Sequence, residues 1–113
     1  MKTHVILVLL LSAFIVSCTD LTFNSEKWKN WEIRSSENHL RWDMTDDLVE
    51  NYGLVGKTRN EILLLLGKPD NNIDGTENEL FYDLGPCRRG IDYGALLIYF
   101  KNDTVYKVEK HCH

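Results

Sequence analysis

The stretch Leu54-Val-Gly-Lys-Thr-Arg-Asn-Glu-Ile-Leu-Leu-Leu-Leu-Gly-Lys-Pro-Asp70 predicts a helix with a defined beginning and end. Thr58 followed three residues later by Glu61 forms a capping box. In this pattern the hydroxyl accepts a backbone N–H at the helix start, and the carboxylate accepts the N–H of Thr58. Gly67 supplies a left-handed residue at the other end, and Pro69 prevents the helix from resuming.

The apolar residues of this helix are predicted to divide between two sides. At 3.6 residues per turn, Ile62, Leu65 and Leu66 fall on one face, which we expect to be buried. Leu63 lies at the edge of that face. Leu64 lies nearly opposite, so we expect it to be exposed and treat it as a candidate contact for a partner.

The N-terminal residues resemble a bacterial lipoprotein signal peptide. Lys2 gives a positive start, an almost unbroken apolar run covers residues 5–16, and residues 15–17 place a small side chain before Cys18. The run is too short to span a bilayer comfortably. The resemblance implies that Cys18 is diacylated and becomes the mature N-terminus, with Thr19 after it favouring the outer membrane. An ordinary signal peptide and an uncleaved anchor are the alternatives.

Length and charge limit the remaining possibilities. The chain has 113 residues, which suits one domain, and a net charge of −4. Nucleic acid is not an expected partner, because its phosphates would repel an acidic protein. Acyl chains on Cys18 would attach the protein to the membrane of the bacterial cell envelope. We expect a signal peptide over 1–17, a tether or N-terminal segment over 18–40, and the folded domain over 41–113.

The predicted N-terminal segment contains two tryptophans, Trp28 and Trp31. Their spacing of three would place them on one face of a helix. They would either meet the membrane interface or a partner, or pack across the edge of the small core. The second interpretation is favoured, because a domain of this size needs its large apolar side chains for its core.

A first helix is predicted from Arg41 to the residue before Gly53, which ends it. Asp43 or Thr45 can cap its start. Two further acids would then lie in its first turn, near the positive end of the helix dipole. Adjacent helix residues point about 100° apart, so this acidic pair is interpreted as surface charge rather than a catalytic or cation site. The acids are Asp46 and Asp47, and the expected buried stripe is Met44, Leu48 and Tyr52.

Three strands are predicted in the C-terminal half, over residues 78–84, 93–101 and 104–112. In the first, apolar residues alternate with polar ones. The second is nearly all apolar, as expected of a central strand covered on both faces. Asn102-Asp103 is typical of a tight hairpin turn between the second and third strands. The predicted inward residues of the first strand are Leu80, Tyr82 and Leu84.

The hairpin turn predicts a register for the last two strands. Phe100 would face Val105 and Ile98 would face Lys107, unless a bulge shifts the pairing by one residue. The element order is then helix, helix, strand, strand, strand. The expected fold is α+β, with two helices packed on one face of a three-stranded antiparallel meander in two layers.

This order resembles the SmpA/OmlA lipoproteins, also called BamE, which share a fold with β-lactamase-inhibitor-protein-like domains. The resemblance covers roughly residues 44–108. It implies a role as an accessory factor in outer-membrane protein assembly, and the same fold in inhibitors implies an alternative role as an inhibitor or ligand-binding module. The matching positions are Gly56, Thr58, Glu61, Leu66, Gly67, Pro69, Phe81, Tyr82, Phe100 and Val105.

Two cysteines besides Cys18 are available for pairing in an oxidising compartment, Cys87 and Cys112. In the unshifted register Cys112 comes opposite Tyr93, close to the loop that holds Cys87. We therefore expect a disulfide. The alternative is a zinc or copper site that adds His111 and its neighbours. Adjacent strand residues point to opposite faces, which disfavours that site, so no metal or other cofactor is expected.

Catalysis is not expected, because the sequence has no nucleophile motif and no glycine-rich phosphate loop. Arg88 and Arg89 form a basic pair in the loop after the first strand, which is either a contact for an acidic partner or a lipid phosphate or, as favoured, a solvated loop. Leu64 is the other candidate contact. The sequence thus predicts a non-catalytic envelope lipoprotein that acts by protein–protein contact.

Overall fold

The computed structural model describes residues 21–32, 38–70, 78–88 and 92–113. These residues form an α+β domain, in which helices pack on an antiparallel sheet with strand order β1-β2-β3. The predicted meander and fold class are confirmed. The elements are α1 (Ser25–Lys29), α2 (Leu40–Asn51), α3 (Arg59–Leu66), β1 (Glu79–Pro86), β2 (Tyr93–Lys101) and β3 (Thr104–Cys112).

Helix α3 begins and ends as its sequence predicts. The Glu61 N–H donates to Thr58 Oγ1 at 3.2 Å, and the Thr58 N–H donates to Glu61 Oε1 at 3.0 Å, which completes the capping box. At the other end, Gly67 has a φ of 77° and its N–H donates to the carbonyl of Leu63. This conformation favours glycine because an L side chain is strained at positive φ.

The two sides of α3 also differ as predicted. Ile62 and Leu66 are buried at 0% and 1% exposure, and Leu63 and Leu65 pack partly against the same core. Leu64 is 76% exposed. The 3.6-residue period alone separated these leucines, since the sequence Ile62-Leu-Leu-Leu-Leu66 is uniformly apolar.

Helix α2 starts earlier than predicted, and its start lacks a side-chain cap. His39 occupies the N-cap position without a capping hydrogen bond, so the prediction that Asp43 or Thr45 caps the helix is wrong. Asp43 lies in the first turn instead. Thr45 is buried and its hydroxyl donates to the carbonyl of Arg41 at 2.6 Å, one turn back, which satisfies the hydroxyl inside the core.

The acids predicted in the first turn of α2 lie further along the helix and bind other parts of the chain. Asp47 Oδ2 accepts the N–H of Phe23 at 2.8 Å. Asp46 Oδ1 lies 3.0 Å from Lys110 Nζ on β3. The two carboxylates therefore connect α2 to the N-terminal segment and to the sheet. The predicted stripe packs on the core, with Met44 and Leu48 buried and Tyr52 half-buried.

The helices cover one face of the sheet. In β1, Leu80, Tyr82 and Leu84 are each 0% exposed, as their alternation predicts. In β2, alternate residues Leu96, Ile98 and Phe100 join the same core cluster. On the opposite face Ala95 is buried, but the next two residues on that side are only half-buried. The expectation that β2 is covered on both faces is therefore wrong for this part of the strand. Those two residues are Leu97 and Tyr99.

The turn between β2 and β3 has the predicted form. Asn102 and Asp103 have φ values of 52° and 62°, the pair of left-handed residues that a two-residue type I′ hairpin requires. Lys101 pairs with Thr104 directly before and after it. The turn sequence thus fixes the first pairs of the hairpin.

A bulge then shifts the register by one residue. Phe100 pairs with Val105 as predicted, but Ile98 pairs with Val108 rather than Lys107. The shift lies between Tyr99 and Phe100, where β3 contributes an additional residue. The bulge was the alternative that the sequence left open, because one turn cannot fix pairing beyond an inserted residue. The same shift moves Cys112 opposite Gly94, so the pairing of Cys112 with Tyr93 is corrected too.

The N-terminal segment contributes to the core from Phe23 onward. Trp28 on α1 is 0% exposed and Phe23 is 5% exposed. Asn24 caps α1, and the hydroxyl of Ser25 donates to the carbonyl of Leu65 on α3 at 2.6 Å. The core interpretation of Trp28 is confirmed. The packed domain extends N-terminally beyond the expected boundary at residue 41.

A buried arginine joins this segment to the outer edge of β1. Arg41 donates to the carbonyls of Trp28 at 3.0 Å and Asp83 at 2.9 Å, and to the carboxylate of Asp70 at 3.0 Å. Asp70 in turn accepts the N–H of Asp83 at 2.8 Å and donates its own N–H to the carbonyl of Phe81. These contacts occupy backbone groups that an edge strand would otherwise expose.

Candidate partner-binding surface

The structure places the predicted site residues at separate positions. Cys18 and Arg89, like the predicted signal peptide over 1–17, lie outside the described residues. Leu64 projects from α3, away from the core. Arg88 follows β1, and its side chain is 60% exposed.

The Arg88 guanidinium is held by an acid of α2. Its Nε and Nη2 atoms lie 2.9 and 2.7 Å from the two carboxylate oxygens of Asp43, a paired geometry that the planar guanidinium fits well. The hydrogen bond and the charge of Asp43 raise the pKa of Arg88. The contact fixes the loop after β1 against α2. Arg88 is thus less available to a partner than its sequence suggested.

The two remaining cysteines meet beside this loop. Cys87 and Cys112 are bonded in the structure, with Cα atoms 5.9 Å apart, inside the range that a disulfide requires. Cys87 is buried, and its N–H donates to the carbonyl of Asp92 at 3.0 Å. The bond connects the end of β1 to the end of β3. Because the sulfurs are joined to each other, neither is a thiolate that binds metal.

A cleft of about 500 Å³ opens next to the disulfide, lined by Trp42, Arg88, Lys110, His111 and Cys112. Lys110 Nζ lies 3.8 Å above the Trp42 ring centroid and is also bonded to an acid of α2. The His111 ring bonds to Glu109. Each of these basic groups already has an acidic partner, as Arg88 does. The cleft is therefore an electrically balanced surface rather than an anion pocket.

A second cavity, of about 440 Å³, lies beside the buried arginine. The Arg41 guanidinium lies 4.8 Å from the ring centroids of both Trp28 and Trp31. Burial lowers the pKa of Arg41, and the carboxylate of Asp70 opposes that shift. The residues that line this cavity are Lys29, Trp31, Arg41, Leu66, Gly67, Lys68, Pro69 and Asp70. Because Arg41 already bonds Asp70 and two carbonyls, the structure gives this arginine a packing role.

The sheet face opposite the helices carries aromatic side chains. Leu97 and Tyr99 point away from the core side, because neighbouring strand residues alternate. The Tyr99 and Tyr106 rings have centroids 6.3 Å apart, and Lys107 Nζ lies 5.3 Å from the Tyr99 centroid. Tyr106 is 55% exposed. We call these four residues, Leu97, Tyr99, Tyr106 and Lys107, the open face.

Charge on the open face is balanced locally. Glu109 bonds to Lys107 and to His111, and these contacts lower the pKa of Glu109 and raise that of Lys107. Desolvation, with the nearby charge of Glu109, raises the pKa of Tyr99. The face thus presents tyrosine rings surrounded by paired charges, a combination suited to protein contact.

The other shifted pKa values have structural causes. Burial raises the pKa of Tyr82, whose hydroxyl donates to the carbonyl of Gly67 at 2.7 Å. The backbone N–H of Phe23 lowers the pKa of Asp47, and the Thr58 cap lowers that of Glu61. Each of these groups bonds a neighbouring element of its own chain.

Two further observations concern metals and membranes. In the described ranges, no group of three or more His, Cys, Asp or Glu side chains is arranged to hold a metal ion. None of the helices in this part of the chain has the length and apolar character needed to span a bilayer.

No family model matches the chain, and a search of the curated proteins found no match.

Sequence reasoning missed two of the features just described. The alternation between Val105 on the core side and Tyr106 on the other side was a usable signal for the open face. The position of Arg41 in the core had no comparable signal, because its partners Asp70 and Asp83 are far from it in sequence. Long-range polar contacts of this kind leave no periodic pattern.

Proposed function

We propose that this protein is a non-catalytic lipoprotein of the bacterial cell envelope that acts by protein–protein contact as an accessory factor in outer-membrane protein assembly. The observation that best supports binding to another protein is the set of tyrosine side chains on the open face. Its tyrosines offer a large amphipathic area with few side-chain torsions to fix on binding, the property that enriches tyrosine in interfaces.

The distribution of charge supports binding over catalysis. A catalytic acid or base is typically a side chain with a shifted pKa that points at the bound substrate. In the described residues, the groups with shifted pKa values bond to a helix cap, to backbone or to side chains of their own strand, as with Glu61, Asp47 and Glu109. Their shifts follow from structural contacts, so the exposed apolar side chains are the better candidates for function.

The membrane attachment in this proposal rests on Cys18 and the N-terminal signal pattern. Replacing Cys18 by Ala should leave an unlipidated precursor, and globomycin should cause the wild-type precursor to accumulate. Metabolic labelling with palmitate reports the same modification directly. A wild-type protein that fractionates with soluble periplasm and takes up no acyl label would exclude the lipoprotein part of the proposal.

The assembly role rests on the resemblance to SmpA/OmlA lipoproteins and on the presence of a contact surface. A photoreactive aromatic residue placed at Tyr106 samples the open face, one at Leu64 samples the outer side of α3, and one at Glu50 samples an exposed position on α2 as a control. We expect crosslinks from Tyr106 to components of the outer-membrane assembly machinery in intact cells, and none from Glu50.

The same crosslinks separate the proposal from its alternative, an inhibitor or ligand-binding module of the periplasm or cell surface. Adducts of Tyr106 with one soluble enzyme would support the inhibitor. Adducts from Leu64 alone would show that the contact surface is on α3 rather than on the sheet. If Tyr106 and Leu64 give no more adduct than Glu50, the contact role of both surfaces is wrong.

A further inference from the structure

The two edges of the sheet differ in how their backbone groups are used. On β1, the carbonyls of Phe81 and Asp83 and the N–H of Asp83 are bonded to Asp70 and Arg41. On β3, only the first part of the outer edge is covered in the described structure. There the N–H of Gly56 donates to the carbonyl of Val105 and the N–H of Val105 donates to Lys57, both at 2.9 Å.

The remainder of the β3 edge faces outward. The backbone groups of Phe81 and Asp83 bond away from the sheet, so Leu97, the partner of Phe81 on β2, directs its own backbone groups toward β3. Leu97 pairs there with Glu109, whose N–H and carbonyl therefore point toward β2. The residues on either side, Val108 and Lys110, then direct their N–H and carbonyl groups away from the sheet, and Cys112 continues this series. Among the described residues, no hydrogen bond reaches these outward groups.

We propose that this edge pairs antiparallel with the same edge of a second copy of the chain, about a two-fold axis at Lys110. In that register Val108 faces Cys112 of the second copy, so each outward backbone group finds a partner in the other ladder. Glu109 faces His111 of the second copy, and the reciprocal pair forms as well. This self-complementarity is what a two-fold interface requires.

Neighbouring registers fit less well. Centring the axis on Glu109 leaves no opposite-charge pair, because Glu109 then faces its own copy and Lys107 faces His111 of the second copy. Centring it on Val108 brings His111 of the second copy opposite Val105, where Gly56 and Lys57 already occupy the edge. The axis at Lys110 avoids both conflicts.

The lysine at the axis is compensated within its own chain. Its ammonium lies 3.0 Å from Asp46 and 3.8 Å above the ring centroid of Trp42, so its charge is directed toward α2 rather than across the axis. The cleft of about 500 Å³ beside Lys110 and Cys112 leaves room on the helix side of the edge.

Charge exchange at Glu109 and His111 tests the proposal with the full chain in mild detergent. We expect the wild type to be a dimer by light scattering and sedimentation equilibrium. Glu109→Lys loses the carboxylate, and His111→Glu sets two carboxylates opposite each other. Each variant alone should associate at least about tenfold more weakly, because like-charge or unpaired contacts at an interface reduce affinity by this much or more.

The two variants should restore each other. In a mixture, Lys at position 109 of one chain faces Glu at position 111 of the other, while the native Glu109–His111 pair forms at the second contact. The mixture and the double exchange Glu109→Lys/His111→Glu should therefore dimerise again. Capture through differential tags, repeated in enough detergent that micelles greatly outnumber chains, distinguishes this complex from two anchors that share one micelle.

Glu50→Lys, which makes the same charge change at an exposed position on α2, should leave dimerisation unchanged. Thermal unfolding of every variant checks that the domain remains folded. A monomeric wild type overturns the proposal. So does a dimer that resists both single exchanges, or two weakened variants whose mixture fails to associate.

Discussion

The buried arginine provides the sharpest test of how this domain is held together. Arg41 bonds two backbone carbonyls and one carboxylate, and its side chain is only 6% exposed. Arg41→Met keeps most of the apolar stem but leaves the carbonyl of Asp83 without its donor and that of Trp28 with the longer contact from the Trp31 N–H, at 3.4 Å. Each buried acceptor left unpaired costs about 1–3 kcal/mol.

The carboxylate of Asp70 adds a smaller penalty, because its side chain is 41% exposed and water can replace part of the lost contact. We therefore expect Arg41→Met to lower the free energy of unfolding by about 2–4 kcal/mol, mostly from the two carbonyls that lose the guanidinium. Asp70→Asn should cost about 1 kcal/mol, since an amide oxygen in the place of Oδ2 can still accept both bonds and only the negative charge is lost.

Urea titration followed by tryptophan fluorescence measures these values, and Trp28 and Trp31 lie directly against Arg41. The double variant should show coupling of about 0.5–3 kcal/mol between Arg41 and Asp70. A loss below about 1 kcal/mol for Arg41→Met, with an unchanged m-value, would refute the idea that Arg41 fastens the N-terminal segment to β1. Arg41→Lys, which keeps the charge but not the planar fork, should fall between the wild type and Arg41→Met.

Three further predictions follow from the packing, the disulfide and the carboxylates. Leu66→Ala should lower the free energy of unfolding by about 2–5 kcal/mol, and Leu64→Ala by less than about 0.5 kcal/mol; equal losses in urea titrations would contradict the assigned helix face. Cys87 and Cys112 should titrate as zero free thiols in the denatured, unreduced protein. Bridging this separation of 25 residues should contribute about 3.5 kcal/mol on the chain-entropy estimate, so reduction should lower the melting temperature. The pKa of Glu61 is lowered in the fold, so the unfolded chain binds more protons in acid, and stability should be level near neutral pH and fall as the pH drops below the ordinary value of 4.5. Glu61→Gln should reduce that slope in pH-dependent thermal unfolding.

Local signals in the sequence located the elements well. The capping box of Thr58 and Glu61, the stop at Gly67 and the turn at Asn102-Asp103 each act over a few residues, so their structural result can be inferred from nearby sequence. The buried face of α3 followed from periodicity for the same reason. These signals were sufficient for the fold class.

Features that depend on distant residues could not be inferred in this way. The bulge beyond the hairpin turn is not specified by the turn residues, and it displaced Cys112 by one residue from its expected partner. The start of α2 likewise has no side-chain cap that would mark it in the sequence. The candidate surface was only partly foreseen: Leu64 is exposed, whereas Arg88 is held by Asp43, 45 positions away in sequence.

The packing of the N-terminal segment limits how far the domain can stand from a membrane. The carbonyl of Asp43 accepts the N–H of Leu21 at 3.3 Å, so the chain is already attached to α2 at that residue. Two residues lie between Cys18 and Leu21, so three residue-to-residue steps join them. A fully extended chain covers at most about 3.6 Å per residue, which gives a reach of roughly 11 Å. With Cys18 acylated as proposed, the domain would lie at the membrane surface, and a partner of the open face would have to approach it there.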